Sequence, residues 1–453
     1  MIAPARVAAY DILLAVSAGR ADLPDAIANV RASLGDDRDR ALAAEIATGV
    51  QRWRAALDHL VVVVSNRPIE RLDAEIVEIL RLSLYQLLHL TRVPASAVVD
   101  DAVNLAGKAG KRSAAGFVNG VLRTISRTRA SLPLPPRPAD TADRPAAVDY
   151  LSITLSHPRW LAARWLDRLG FDAAEAWLRF NNRPAPLTLR TNALRLSPSD
   201  LRTRLAEREI VVTPGRHAPG ALIVESGNPL RDPSAAEGCF VVQDEASQLV
   251  TLLAGPHPGA RVLDACAAPG GKATALAAAV DAPGYVIACD VRARRIELLR
   301  QTVARMRARR VLLVQADLLS PLPFHAPFNC VIVDVPCSGL GTLRRDPDIR
   351  WRRLERDLGP LADAQTRMLG HAAALVAPGG RLVYATCSSE PEENEEVAAA
   401  FLHHTADFSP VDAHTVHPLL STALVDERGH FRTAPDRHGL EVFFGAVFER
   451  YRP

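Results

Sequence analysis

Two cysteines stand where a thiol could do chemistry. Cys337 follows the apolar run Cys330-Val331-Ile332-Val333 by way of Asp334-Val335-Pro336, and Cys387 follows Leu382-Val383-Tyr384-Ala385-Thr386. Each run reads as a buried strand that stops at Pro336 or Thr386, so each thiol emerges at a strand end and not inside a core. In the common order of open α/β sheets the fourth and fifth strands are neighbours, which brings both thiols to one rim. A thiolate there suits addition to an electron-poor ring, such as C6 of a cytosine. Addition turns C5 into an enamine-like carbon able to attack an electrophilic methyl, and the thiol leaves once the C5 proton is gone. Cys239, Cys289 and Cys330 lie inside apolar patterns and read as small buried hydrophobes.

A ligand site precedes them. Val262-Leu263-Asp264-Ala265-Cys266-Ala267-Ala268-Pro269-Gly270-Gly271-Lys272 reads as a buried strand, a small-residue turn and a helix start. Small residues let a ligand approach the backbone, and the helix start offers free N–H groups. The turn matches neither the dinucleotide fingerprint nor the phosphate-cradling loop. Asp290, Asp317 and Asp334 close or follow the next three strands, an arrangement suited to a nucleoside with a cationic centre. An acid at a strand end can equally be a turn residue. Cys266 contributes backbone and packing to the turn.

The elements that must position these residues alternate. Arg261–Asp264, Tyr285–Asp290, Val311–Val314, Cys330–Asp334 and Arg381–Thr386 read as strands with helices between them, which predicts a doubly wound, Rossmann-like parallel sheet over 251–453. Residues 1–130 read as helices only; Asp73 to Leu90 carries an apolar stripe at Ile76, Ile79, Leu80, Leu84, Leu87 and Leu88. Residues 131–145 hold five prolines and read as a semi-rigid linker. Residues 146–250 read as a small α/β extension, with strands at Ile210–Thr213 and Ala221–Val224 and a capped helix start at Ser197-Pro198-Ser199-Asp200.

Composition narrows the class. A chain of 453 residues suggests two or three domains, and 48% hydrophobic residues suffice for packed cores. Six cysteines without a Cys-x-x-Cys pair argue against a disulfide framework or a zinc site; no metal is expected, and the pattern fits a reducing cytoplasm. The N-terminus has no signal-peptide pattern, and the longest apolar run, Leu60 to Val64, is far too short to span a bilayer. The net charge of +3 says little about nucleic acid. Only Lys108, Lys111 and Lys272 are lysines, which points to a role for an ammonium at Lys272. The stretch Arg344 to Arg356 holds six arginines and Trp351 just after the Cys337 turn; Arg344, Arg345, Arg350 and Trp351 are candidates for RNA backbone contacts and base stacking. The basic run Arg305 to Arg310 reads as an RNA contact or a solvated helix back.

Ala267 to Lys272, Asp334-Val335-Pro336-Cys337-Ser338-Gly339 and Ala385-Thr386-Cys387-Ser388 resemble the motifs of the RNA 5-methylcytosine methyltransferases. Arg344-Arg345-Asp346-Pro347-Asp348-Ile349-Arg350-Trp351 and Pro391-Glu392-Glu393-Asn394-Glu395 are similar to the bacterial 16S rRNA methyltransferase B family (RsmB/Sun/Fmu). Its N-terminal domain is like the antitermination factor NusB. Asp39 to Ala43, Tyr85-Gln86-Leu87-Leu88 and Phe117 to Arg123 resemble that domain. The likeness extends to His157-Pro158, Trp160-Leu161, Asn181-Asn182, Leu189-Arg190-Thr191-Asn192 and Gln243 to Ser247, and so covers essentially the whole chain.

The resemblance implies an S-adenosyl-L-methionine-dependent enzyme acting on a 16S rRNA cytosine, naked or in an early small-subunit particle; with no membrane or metal expected and a cytoplasmic setting read from the cysteines, a monomer is the default expectation. It implies Cys387 as nucleophile on C6, Cys337 in release of the product, and Asp334 against the cytosine edge and near the methyl donor. Cys266 through Lys272 would form the donor loop, with Asp290 on the ribose and Asp317 near the adenine. The same chemistry on tRNA, or an inactive RNA-binding assembly factor, are the alternatives; intact Cys337, Cys387, Asp334 and Lys272 oppose the second. One departure is Glu441-Val442 before Phe443-Phe444, where the family usually has Asp-Gly. That strand is expected to be peripheral to the chemistry.

Overall fold

A computed structural model describes residues 2–452. The chain forms two compact units. One takes the residues up to Pro184 together with Leu343–Glu355; the other takes Ala185–Thr342 and the residues from Arg356 onward.

The first unit is helical. Pro4–Ser17, Leu23–Arg31, Asp37–Ser65, Ala74–His89, Ala95–Lys108 and Ala115–Arg127 enclose one apolar core. Ala74–His89 realises the predicted stripe, with Ile76, Ile79, Leu80, Leu84 and Leu87 buried. Each such side chain contributes about 1.5–3 kcal/mol on leaving water. Gly49 is required where the long helix meets Tyr85, because a Cβ there would lie inside the phenol ring. The Pro-rich segment adheres to this unit: Leu132 and Leu134 pack on its core, and the Pro135 carbonyl accepts from Thr154 Oγ1 at 2.6 Å. Helices Arg159–Leu169 and Phe171–Asn181 complete the unit.

The second unit contains two sheets. The smaller is antiparallel and is built from β1 (Thr188–Thr191), β2 (Val211–Pro214), β3 (Ala221–Ser226) and β4 (Phe240–Val242), in the order β2-β3-β1-β4. The Ser197 cap forms as read: Asp200 N donates to Ser197 Oγ at 3.1 Å, and Ser197 N to Asp200 Oδ2 at 3.2 Å.

The larger sheet holds β5 (Arg261–Asp264), β6 (Tyr285–Asp290), β7 (Val311–Gln315), β8 (Phe328–Asp334), β9 (Val376–Thr386), β10 (Phe408–Val411), β11 (Phe431–Arg432) and β12 (Phe444–Arg450). Its order is β7-β6-β5-β8-β9-β12-β10, with β11 on β12. β5 to β9 are parallel neighbours, whereas β12 runs antiparallel to β9 and β10 antiparallel to β12. The expected parallel sheet is therefore mixed. The short stretch from β11 to β12 leaves no room for a parallel crossover between those two strands, which pair antiparallel.

Side chains alternate across this sheet. Val262, Cys330, Ile332, Val383 and Ala385 pack with Leu276 and Leu299 on one face. Leu263, Val331, Val333, Leu382 and Tyr384 pack with Leu369 and Phe401 on the other. Both faces are covered, so β8 and β9 read as continuous apolar runs, and the turns that carry the cysteines follow their C-terminal ends.

Candidate active site

β8 and β9 are in register from Cys330 opposite Arg381 to Asp334 opposite Ala385. Two residues past each of those ends the turns begin, and the Val335 amide still donates to the Ala385 carbonyl at 3.0 Å. This pairing sets Cys337 Sγ 3.2 Å from Cys387 Sγ, with both residues half-buried. The Cys337 thiol is pushed well above its ordinary pKa by its hydrogen bond to Cys387, by burial, and by the charges of Cys387 and Glu393. Two thiols this close share one ionisation.

Lys272 reaches the same rim from the first turn of the helix Gly271–Ala279. Its Nζ donates to Asp334 Oδ2 at 2.6 Å and to Ser247 Oγ at 3.2 Å, and it lies 5.8 Å from the centre of the Phe443 ring. Burial works against its charge, but attraction and hydrogen bonding to Asp334, aided by Asp264 and Cys387, outweigh it and hold its pKa above the ordinary value. The predicted catalytic residues Cys337, Cys387, Asp334 and Lys272 thus meet in one place.

The predicted donor loop folds tightly around β5. Ala267 N donates to the Cys289 carbonyl at 2.8 Å, and Gly270 N to the Ala267 carbonyl at 2.8 Å. Gly270 has φ +106°, and a Cβ there would sit 2.8 Å from Leu299 Cδ1, so the turn needs glycine on both counts. Asp290 is buried at the end of β6 and binds the loop: its Oδ2 lies 3.3 Å from Ala268 N and 3.2 Å from Arg295 Nε. Burial, with Asp264, Asp334 and Asp290 nearby, raises the Cys266 thiol far above its usual range, which leaves it unreactive. Asp317 is exposed and its Oδ1 accepts from Leu319 N at 2.9 Å, the turn-capping role that strand-end acids often take.

The RNA-facing reading of Arg350 is corrected by its burial. Arg350 is 0% exposed in the first unit. It donates to the Ser156 carbonyl at 2.9 Å, Asn182 Oδ1 at 2.9 Å and the Leu343 carbonyl at 3.2 Å. Its guanidinium is bonded to main-chain and amide oxygens and is closed off from any phosphate in solvent; burial, with Arg52 adding, pulls its pKa down to about 9. Trp351 Nε1 donates to the Gln51 carbonyl at 2.6 Å under the Arg54 guanidinium. Arg344 lies 4.5 Å over the Phe180 ring and donates from Nη2 to the Pro184 carbonyl at 2.8 Å. Arg345 is half-buried beside it.

Glu441-Val442 is not peripheral, contrary to expectation. β12 pairs directly with β9, Phe444 opposite Thr386. Val442 N donates to the Gly341 carbonyl at 3.0 Å, and Gly341 N donates to the Cys387 carbonyl at 2.9 Å. A Cβ on Gly341 would lie 2.6 Å from the Cys387 oxygen. The segment therefore buttresses the Cys387 turn.

Sequence reading passed over three residues. Asp264 is 0% exposed, and no well-formed hydrogen bond reaches either of its oxygens among the described residues. Burial pushes its carboxyl up to about 7, with Lys272 opposing and Asp334 adding to the rise. Arg190 is buried with no carboxylate partner among the described residues and ties β1 to the helix Gly271–Ala279, donating to Gln243 Oε1 at 2.6 Å, Thr274 Oγ1 at 2.8 Å and the Gly271 carbonyl at 3.0 Å. Glu393 is buried between the two cysteine turns. The only signal for Asp264 was a carboxylate on the last residue of a buried strand.

Comparison with known proteins fits this geometry. Residues 250–449 match the sequence model of the 16S rRNA methyltransferases RsmB/F, residues 3–127 that of the NusB family, and residues 157–231 that of the ferredoxin-like domain of RsmF/B-like methyltransferases. "Ribosomal RNA small subunit methyltransferase B" of Pseudomonas putida is 34% identical, over 94% of this chain and 96% of that protein. The chain belongs to the RsmB/F methyltransferase family. "Probable ribosomal RNA small subunit methyltransferase B" of Bacillus subtilis is also 34% identical, over 83% of this chain and 82% of that one. The solved structure of PH0851 covers 99% of both chains with a TM-score of 0.79 at 25% identity. Its likeness supports a helical NusB-like domain, a ferredoxin-like domain and a Rossmann-like methyltransferase domain with a mixed sheet. Among the described residues no cluster of His, Cys, Asp or Glu is placed to hold a metal ion, and no helix is long and apolar enough to cross a membrane.

Proposed function

We propose that this methyltransferase acts on carbon 5 of a cytosine in 16S rRNA, with S-adenosyl-L-methionine as donor. The observation that carries the reading is the Cys337–Cys387 pair at 3.2 Å, on neighbouring strand ends beside the Lys272–Asp334 ion pair. One thiol suffices for addition; a second at this distance has a use only if the adduct must be undone.

The donor loop fits such a cofactor. Asp264 is a buried acid whose oxygens have no well-formed hydrogen bond among the described residues, and the helix Gly271–Ala279 begins directly after the small-residue turn. Cys266 through Lys272 would wrap the donor, with Asp290 on the ribose and Asp317 toward the adenine. When bound, the donor supplies a methyl on a sulfonium centre.

Cys387 adds as thiolate to C6, and the electron pair passes to C5. Asp334 holds the cytosine edge, and Lys272 holds Asp334 in place. The base is splayed from its stack to reach the rim. C5 takes the methyl, and Cys337, ionised once Cys387 is bound to carbon, accepts the C5 proton. The C5–C6 double bond re-forms and Cys387 leaves as thiolate, which restores the starting pair with one proton released to solvent. Transfer of a tritiated methyl to protein-free 16S rRNA, followed by nucleoside analysis, tests this: label in 5-methylcytidine is expected, and label in any other nucleoside, or in tRNA alone, contradicts it.

A further inference from the structure

Glu393 ends the single turn Pro391–Glu393 after β9 and is 0% exposed. Its Oε1 accepts from Ser338 N at 2.8 Å and from Gln365 Nε2 at 2.9 Å, while Oε2 accepts from Ser388 Oγ at 2.5 Å. Ser338 follows Cys337 and Ser388 follows Cys387, so one carboxylate grips both turns one residue beyond each thiol. The two serine hydroxyls also meet, 3.1 Å apart. Asn394 adds a second grip on the Cys387 turn, with Nδ2 donating to the Ser388 carbonyl at 3.1 Å and Oδ1 accepting from Thr386 Oγ1 at 2.6 Å.

All three donors to Glu393 are neutral, so its charge is spread but not cancelled. The charged and titratable groups around the sulfur pair are then unevenly placed. The hydrogen bond to Cys387, burial and the Glu393 charge hold the proton on Cys337, which in turn helps to raise the Tyr384 phenol, while the Cys387 charge helps Lys272, paired with Asp334, to keep its proton. Thiolates 3.2 Å apart repel, so only one sulfur is charged at a time.

We propose that Glu393 is a positioning residue that divides the work between the cysteines: it clamps the two turns together, and its carboxylate keeps the proton on Cys337 so that the single thiolate charge resides on Cys387. This rests on the reading of Cys387 as nucleophile. Once the Cys387 sulfur is bonded to carbon the shared charge is gone, and Cys337 ionises for the release step.

The test is alkylation of the folded full chain by iodoacetamide from pH 6 to pH 10, without RNA or methyl donor, with Cys337 and Cys387 quantified separately by peptide mass spectrometry. Glu393→Gln keeps an acceptor for Ser338 N and removes the charge. Its Cys337 labelling at pH 8 should rise about tenfold, the equivalent of one pH unit. An unchanged Cys337 rate and pH profile, in a variant that melts like the wild type, overturns the proposal. Should Glu393→Gln not fold, Glu393→Asp is read in its place: it retains the charge, so Cys337 labelling should stay within about twofold of wild type, and a tenfold rise would overturn the charge assignment. Labelling of the free enzyme is independent of methyl transfer; whether Cys387 is the nucleophile is decided separately by the transfer activity of Cys387→Ala.

Discussion

Lys272 Nζ lies 2.6 Å from Asp334 Oδ2, joining the first turn of the helix Gly271–Ala279 to the end of β8. The pair links the two halves of the site, one that would hold the methyl donor and one that carries the cysteines. A lysine is suited to it because a single compact ammonium serves Asp334, Ser247 and the Phe443 face together.

Lys272→Met should leave the fold intact and lower methyl transfer by at least about a hundredfold, since it strips the charge partner from Asp334 at the reacting rim. The single-turnover rate checks it; a change confined to the KM for RNA would place Lys272 outside the chemistry.

Asp264 predicts a pH dependence of stability. Burial pushes its carboxyl up to about 7 in the fold, from 3.8 in the unfolded chain. The folded state thus keeps its proton to higher pH than the unfolded state, so this group's contribution falls as pH rises from about 4 to about 7, by up to about 1.4 kcal/mol per pH unit. Asp264→Asn removes that slope. Urea unfolding without methyl donor should find the variant more stable than wild type at pH 8 and equal to it near pH 4; parallel curves would contradict the assignment. The variant should also bind the donor at least about tenfold more weakly, since it removes the charge offered to the ligand.

Arg350 predicts a structural defect, not an RNA-binding one. Arg350→Met leaves several buried acceptors unpaired, at about 1–3 kcal/mol each. The melting temperature should drop clearly, and Arg350→Lys should not restore it because an ammonium cannot span the same carbonyls. Normal stability with weakened RNA binding would reverse this reading.

Much of this was legible beforehand. β5 and β6 have the bounds read from sequence, because a buried parallel strand is a continuous apolar run with sharp ends. The cysteines could be placed at one rim because strand ends and strand order suffice for that. β1 was missed: Arg190 in its middle looks exposed, and only the acceptors at Gln243, Thr274 and Gly271 make its burial tolerable. Arg350 was misread for the same reason, its acceptors being gathered from Ser156, Asn182 and Leu343. Glu393 was visible as part of a motif but not as a clamp, since its donors come from three segments that only the folded sheet assembles. The antiparallel β12 was legible as a strand but not as the neighbour of β9, which depends on where the last connection runs.

In the proposed mechanism Cys387 bonds to the cytosine and Cys337 undoes the bond. The most direct measurement is a denaturing gel of Cys337→Ala, Cys387→Ala and the double variant after incubation with 16S rRNA and methyl donor. Cys337→Ala should accumulate a protein–RNA adduct that survives denaturation, while Cys387→Ala and the double variant form none and transfer no methyl. An adduct in Cys387→Ala that disappears in the double variant would exchange the roles of the two cysteines, and methyl transfer by Cys387→Ala at the wild-type rate would contradict the account outright.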